Sequence, residues 1–330
     1  MVRLFANANY DFLGVRKYAY GVTAVVLGIG LLALILSGIN YSVEFTGGTL
    51  IQVETTAPID VSRVRDGLNS QGIRGAEIQA FGSDREYVIR ARTAKEGTDA
   101  DNTQETASAV ESALNAVLGG GTYTVVRTEA VGPKVGSELR QKAFFAILLS
   151  FVAVLLYLAY RFEWRFGLAA VIATAHDIAT TLGFIALLRL EVSLVVVGAV
   201  LSMVGYSLND TIIIFDRVRE NLRKLKGVSF EEVLNRSVNE TLPRSILTHG
   251  TTLASLAALA IFGGEVIRPF SLVMFFGVFT GTFSSIFIAS PVLLWIERKW
   301  PGAAVKALGM RPASARAGGA ASPRKAQPVT

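Results

Sequence analysis

Long apolar runs alternate with short charged stretches along most of this chain. Six runs are long enough to cross a bilayer, because ~20 residues rising ~1.5 Å each cover ~30 Å of hydrocarbon. They are Tyr20–Ile39, Phe144–Tyr160, Phe166–Leu188, Val192–Phe215, Ser245–Phe262 and Phe270–Trp295. The segment 1–19 precedes the first run. Residues 40–140 form a long polar insertion before the second, and residues 216–244 a shorter charged connection between the fourth and fifth. The tail 301–330 is rich in Ala, Pro, Arg, Gly and Ser without an apolar period, which predicts a disordered segment.

The pattern changes inside 40–140. Thr49–Glu54 reads as a strand, and Asp60–Gln71 as a helix with Val61, Val64 and Leu68 on one face and Asp60 as its N-cap. Ala76–Ala80 and Glu86–Ala91 read as strands around Gly82-Ser83-Asp84. Thr103–Leu118 reads as a helix stopped by three glycines, and Tyr123–Ala130 as a last alternating strand. The order β-α-β-β-α-β predicts an α+β domain of the ferredoxin-like split type. It carries no His, no Cys and no convergent acids, so no catalytic site is expected in it. Gly47-Gly48 permits a tight turn at its entrance, and Gly132-Pro133 is expected to do the same on the return.

Composition agrees with a polytopic α-helical membrane protein: 51% hydrophobic and only 18% charged residues, with a mean hydropathy of +0.45. A soluble domain carries about 25% charged residues. The absence of Cys excludes disulfides and thiolate metal sites. The first apolar run is too long for a cleavable signal. The basic residues near span ends fall on one side of an even number of spans: Arg16 and Lys17, Arg161 and Arg165, the group from Arg217 to Arg236, then Arg298 and Lys299. That side is expected to be the cytoplasm, with both termini on it and residues 40–140 outside. The net charge of +6 then needs no nucleic-acid partner, although the basic tail can meet anionic membrane lipids.

Polar groups inside the apolar runs are the candidate chemistry. Asp210, beside Asn209, is the only acid in the fourth run, where a carboxylate costs several kcal/mol unless protonated, paired or wetted. Ser202, Tyr206 and Asp210 recur every four residues and form one stripe. Gly198 and Ser202 add a small-xxx-small pair suited to close helix contact. The only two histidines are His176, next to Asp177 in the third run, and His249, one turn past Arg244 in the fifth. Asp177 and His249 can serve an ion pathway or tie helices together, and Arg244 can serve a relay or snorkel to the surface. His176-Asp177 lacks further ligands for a metal and lacks a nucleophile, so neither a metal site, a cofactor nor an enzyme is expected.

Four blocks carry a resemblance. They are Glu44-Phe45-Thr46-Gly47-Gly48-Thr49; Val131-Gly132-Pro133-Lys134-Val135-Gly136-Ser137-Glu138-Leu139; Tyr206-Ser207-Leu208-Asn209-Asp210-Thr211 running on to Phe215-Asp216-Arg217-Val218-Arg219-Glu220-Asn221; and Asn239-Glu240-Thr241-Leu242-Pro243-Arg244-Ser245. Over about residues 9–300 the chain resembles the SecD/SecF protein-export family of the resistance-nodulation-division superfamily. The family usually opens the first block with Asp, where this chain has the longer Glu44. The resemblance implies six spans paired with six from a SecD partner, beside the SecYEG translocon in the bacterial cytoplasmic membrane. It further implies that a proton or sodium gradient assists the export of translocating preproteins, with Asp210 and Arg244 as the relay pair. A small-molecule efflux transporter of the same superfamily is the alternative. Efflux members usually carry two large external domains and both sets of spans in one chain.

Overall fold

A computed structural model describes residues 8–71, 73, 76–91 and 100–308. Six helices are long and apolar enough to span a membrane. They are α1 (Arg16–Ser37), α5 (Pro133–Arg161), α6 (Trp164–Leu187), α7 (Leu194–Lys224), α8 (Phe230–Phe262) and a sixth made of α9 (Gly264–Ser284), a π-helical turn (Ser285–Ala289) and α10 (Ser290–Lys299). A short α2 (Val43–Thr46) follows α1, and α11 (Ala303–Leu308) follows α10. The expectation of disorder from residue 301 fails at its start, where α11 is helical and Leu308 is buried in the bundle core; the tail beyond residue 308 lies outside the described residues.

Between α2 and α5 the chain builds β1 (Gly48–Thr55), α3 (Val61–Ser70), β2 (Glu77–Phe81), β3 (Ser83–Ala91), α4 (Ala100–Leu118) and β4 (Tyr123–Val131). The sheet order is β2-β3-β1-β4 and every pair is antiparallel, as a split β-α-β-β-α-β unit requires. Asp60 caps α3 as the sequence predicts, its Oδ1 accepting from the Ser62 N–H at 2.9 Å. Ile51, Val53 and Ile89 from the sheet bury against Val64, Leu68, Val110 and Leu114 from the two helices. This core is separate from the one inside the helix bundle.

Three further sequence readings need refinement. The charged connection 216–244 is itself mostly helical: α7 runs on to Lys224 and α8 starts at Phe230, so it is a helical hairpin with a short turn. An unbroken apolar run marks only the lipid-crossing part of a helix; the extensions stay helical because Val218, Leu222, Val233, Leu234 and Val238 bury one face in the bundle core while the polar face pairs. Arg217 bonds Glu240 at 2.6 Å, and Asn221 bonds Ser237 at 3.0 Å and Glu240 at 2.8 Å. Likewise α5 begins at Pro133, well before the apolar run. Gly132 has φ −66° and ψ 146°, an ordinary extended conformation, so the return from the sheet needs no glycine. Pro133 starts the helix, where its missing N–H is no loss. Third, a Cβ on Gly198 would meet nothing within 4 Å, so that residue makes no close helix contact.

Close approach occurs elsewhere. Gly30 of α1 faces Gly183 of α6, and a Cβ on Gly183 would stand 2.6 Å from the Gly30 Cα. Gly277 and Gly281 of α9 lie against Met203 and Ser207 of α7. Glycines let backbones meet in lipid, where packing rather than water exclusion holds helices together. Gly183→Val is expected to push α1 off α6 and to destabilise the protein by ~1–3 kcal/mol, as overpacking usually does. The melting point of the purified protein in detergent checks this; an unchanged value would show that the crossing is loose.

The π turn has a local cause. Pro291 has no N–H for the carbonyl of Phe287 and its ring crowds that carbonyl, so the backbone ladder shifts register just before it. The Ser290 hydroxyl bonds the Ser285 carbonyl at 3.1 Å. The shift leaves Ser284 and Ser285, both fully buried, facing neighbouring helices.

Candidate ion-relay site

Three carboxylates of the bundle are buried among the described residues. Glu297, near the end of α10, accepts from the Gly302 N–H at 2.7 Å and lies 3.9 Å from Arg165; the other two, Asp177 and Asp210, lie inside α6 and α7 and are built differently. Asp177 is 0% exposed. Its Oδ2 accepts from the Ser207 hydroxyl of α7 at 2.5 Å and from the Ser284 hydroxyl of α9 at 2.7 Å. Its Oδ1 lies 2.9 Å from Nδ1 of His176. One side chain on α6 thus holds three helices. The glycine at 281 makes this possible: any side chain there would collide with Ser207 and lift α9 away.

Asp210 is 3% exposed and sits on α7 facing α8. Its Oδ1 accepts from the Ser245 hydroxyl at 2.6 Å. Its Oδ2 is buried and has no hydrogen-bond partner among the described residues, and the same holds for Nδ1 of His249. Ser245 and His249 are one turn apart on α8, so both present to the same carboxylate. Tyr206, one turn before Asp210, stacks edge-on against the His249 ring at 5.3 Å and donates to Thr252 at 2.9 Å. Arg244, next to Ser245, is exposed; its charge reaches Asp210 without a hydrogen bond between them. Pro243 lies at this point of α8, and its missing N–H leaves the Asn239 carbonyl without its usual helical partner.

The predicted polar residues therefore divide. Tyr206, Asp210 and His249 come together, with Arg244 at the edge. His176 and Asp177 belong to a separate cluster. Thr211 faces the π turn, 2.9 Å from the Ser285 hydroxyl. Ser202 and Asn209 are exposed, and Ser202 bonds only the Gly198 carbonyl of its own helix. The stripe from 202 to 210 thus does not face the bundle interior along its whole length. Sequence reasoning missed Ser207, Ser245 and Ser284, because serine is common in helices and only the packing shows that these three touch carboxylates. No group of three or more His, Asp and Glu side chains able to hold a metal occurs among the described residues.

Comparison with known proteins bears directly on this arrangement. A family model for the C-terminal region of the protein-export membrane proteins SecD and SecF matches residues 110–299, which include both acids. A second, for the SecD/SecF GG motif, matches residues 32–59. The chain belongs to the SecD/SecF family. It is 54% identical over 304 residues to the protein translocase subunit SecF of Gemmatimonas aurantiaca, covering 91% of both chains. With the SecF subunit of Pseudomonas aeruginosa it shares 40% over 287 residues, covering 87% of this chain and 91% of that one. The bundle and sheet domain superpose on a crystal structure of SecDF, a translocon-associated membrane protein from Thermus thermophilus, with a TM-score of 0.78 and 34% identity. A super-membrane-facing form of SecDF gives 0.63 and 36%. The chain spans about two fifths of the length of those SecDF chains, covering 39% of each, while 89% and 88% of this chain is covered. The SecD/SecF GG motif contains Gly47 and Gly48, whose φ values of 74° and 132° only glycine adopts without strain. Gly136 of α5 packs directly on that turn, where a Cβ would stand 2.8 Å from the Gly47 nitrogen.

Proposed function

We propose that this chain is one six-helix half of an accessory complex of the Sec translocase, completed by a SecD partner and working beside the SecYEG channel on translocating preproteins. It uses a proton or sodium gradient across the bacterial cytoplasmic membrane to promote late export, and performs no covalent chemistry. The observation that carries this is Asp210: a buried acid with one bonded and one unpartnered oxygen, at a helix contact flanked by His249 and Arg244. Such an acid can take up and release an ion as α8 moves, whereas Asp177 is bonded at both oxygens and ties three helices together. The efflux alternative gains no support from the Gemmatimonas aurantiaca and Pseudomonas aeruginosa relatives, both named translocase subunits.

Two further features support the arrangement. Ser202, Gly205 and Asn209 on α7 and Thr248, Thr251 and Ser255 on α8 are exposed at membrane depth. Polar and small groups on a lipid-facing surface are disfavoured, and this face suits close contact with a partner helix. Second, Arg161, Arg165, the α7–α8 hairpin and α10 place their basic residues at the end of the bundle opposite the sheet domain, which supports a cytoplasmic hairpin and an external sheet.

The test is export into membrane vesicles with the gradient intact and dissipated, comparing wild type with Asp210→Asn. Only the wild type is expected to respond to the gradient. Arg244→Ala is expected to leave abundance unchanged, because the side chain is exposed, and yet to reduce the gradient response by about tenfold or more, a transition-state effect of ~1.4 kcal/mol. Arg244→Lys should recover only part of it, since an ammonium lacks the planar fork and holds its water more tightly. Full activity of Arg244→Ala would reduce this residue to a surface anchor.

A further inference from the structure

Besides the packing of α2 and the Gly47-Gly48 turn on α5, the sheet domain is fastened to the bundle by a compact set of bonds at the start of α7. The Val192 N–H bonds the Asn40 carbonyl at 2.8 Å, and the Ser42 N–H bonds the Val192 carbonyl at 3.0 Å. Tyr41 and Val192 thereby form a short parallel bridge. The Leu194 N–H, one of the free donors at the start of α7, bonds Oε2 of Glu44 at 2.6 Å. Arg90, on the open face of β3, is ion-paired to Glu191. Every one of these bonds ends on residues 191–194.

Both sides of the junction are stiff. Glu44 lies on α2, whose last residue runs into Gly47-Gly48 and then into β1, a central strand of the sheet. Gly136 holds that turn against α5. On the other side α7 is one unbroken helix without proline from Leu194 to Lys224. It carries Ser207, bonded to Asp177, and Asp210, sixteen residues or ~24 Å along the axis from Leu194. A shift of α7 that follows a change at Asp210 has little compliance to absorb it before Leu194.

We infer that Glu44 is a positioning residue that locks the sheet domain to α7, so that the junction of residues 40–44 with 191–194 stays closed through the cycle and passes the motion of α7 to the sheet. This inference rests on the ion-relay role proposed for Asp210. A carboxylate suits the task better than a neutral group, because a charge-assisted acceptor at a helix N-terminus also meets the positive end of the helix dipole.

The chain has no cysteine, which gives a clean background for testing. In complexes with the SecD partner, Glu44→Ala is expected to keep gradient-driven proton uptake into vesicles while its gradient-dependent export falls at least about fivefold, the low end of coupling between sites. Glu44→Gln, which still offers an acceptor to Leu194, should recover part of the export. A disulfide between Arg90→Cys and Glu191→Cys should leave export at the level of its reduced form, because the junction never needs to open. Equal loss of uptake and export in Glu44→Ala, normal export in that variant, or a disulfide form inactive until reduced would each overturn the inference. Asp210→Asn separates the two ideas: if it retains uptake and gradient-dependent export, the relay role itself has failed, whatever Glu44 does.

Discussion

Asp210→Asn is expected to accumulate in the membrane at the wild-type level, bind its partner, and show the same export with or without a gradient. Folding should survive because the amide oxygen can still accept from Ser245, now at 2.6 Å from the carboxylate, and the side-chain volume hardly changes. The new amide NH2 replaces an oxygen that has no hydrogen-bond partner among the described residues, so no native bond is lost there. What disappears is the only group at this contact that can carry a negative charge and give it up. Asp210→Glu should retain part of the gradient response, since the acid remains but is displaced by about one methylene from Ser245. Ser245→Ala should weaken the response less than Asp210→Asn, because it removes a donor and leaves the acid. The export ratio between intact and dissipated gradients reads each effect. A normal ratio in Asp210→Asn would falsify the relay.

The spans and the sheet were legible because their signals are repetitive. Twenty apolar residues in a row have few alternatives to a spanning helix, and the period-two strands with Asp60 as a cap fix the α+β order. All four strands and both helices of that domain occur where the sequence puts them, to within a few residues at each end. The helical hairpin of 216–244 was not legible from an unbroken apolar run, because only one face of it is apolar: Val218 and Leu222 bury with Val233, Leu234 and Val238, while Arg217 pairs with Glu240, twenty-three residues away. The π turn was equally hidden; Pro291 marks a strained place in a helix without saying how the backbone relieves it.

At the site, sequence put Asp210 ahead of Asp177 as the relay acid, but could not show what packs against either. Their difference lies in which serines the packing delivers: two hydroxyls to one oxygen of Asp177, one hydroxyl to Asp210 and none to its second oxygen. The same limit applies to Glu44, whose partner is a backbone N–H one hundred and fifty residues away. A backbone donor has no identity in the sequence, so no pattern of side chains announces it.

Asp177→Ala is expected to act on the fold rather than on coupling, and strongly. It would strip Ser207 and Ser284 of their common acceptor, and leave His176 Nδ1 without its partner, all in a buried place. Each buried polar group left unsatisfied costs ~1–3 kcal/mol, and a cavity adds to that. The sum is several kcal/mol, a large part of the ~5–15 kcal/mol that holds an ordinary domain together. The α6–α7–α9 contact should loosen, with a much lower melting point and faster proteolysis in the membrane. Asp177→Asn should be milder, since its one oxygen can still accept from a serine while its amide donates to the other hydroxyl or to a neutral His176. Both variants should lose export in proportion to lost protein. If Asp177→Ala instead accumulates with an unchanged melting point while the gradient response vanishes, the three-helix clamp is wrong. Asp177 would then have to be placed with Asp210 on the ion path.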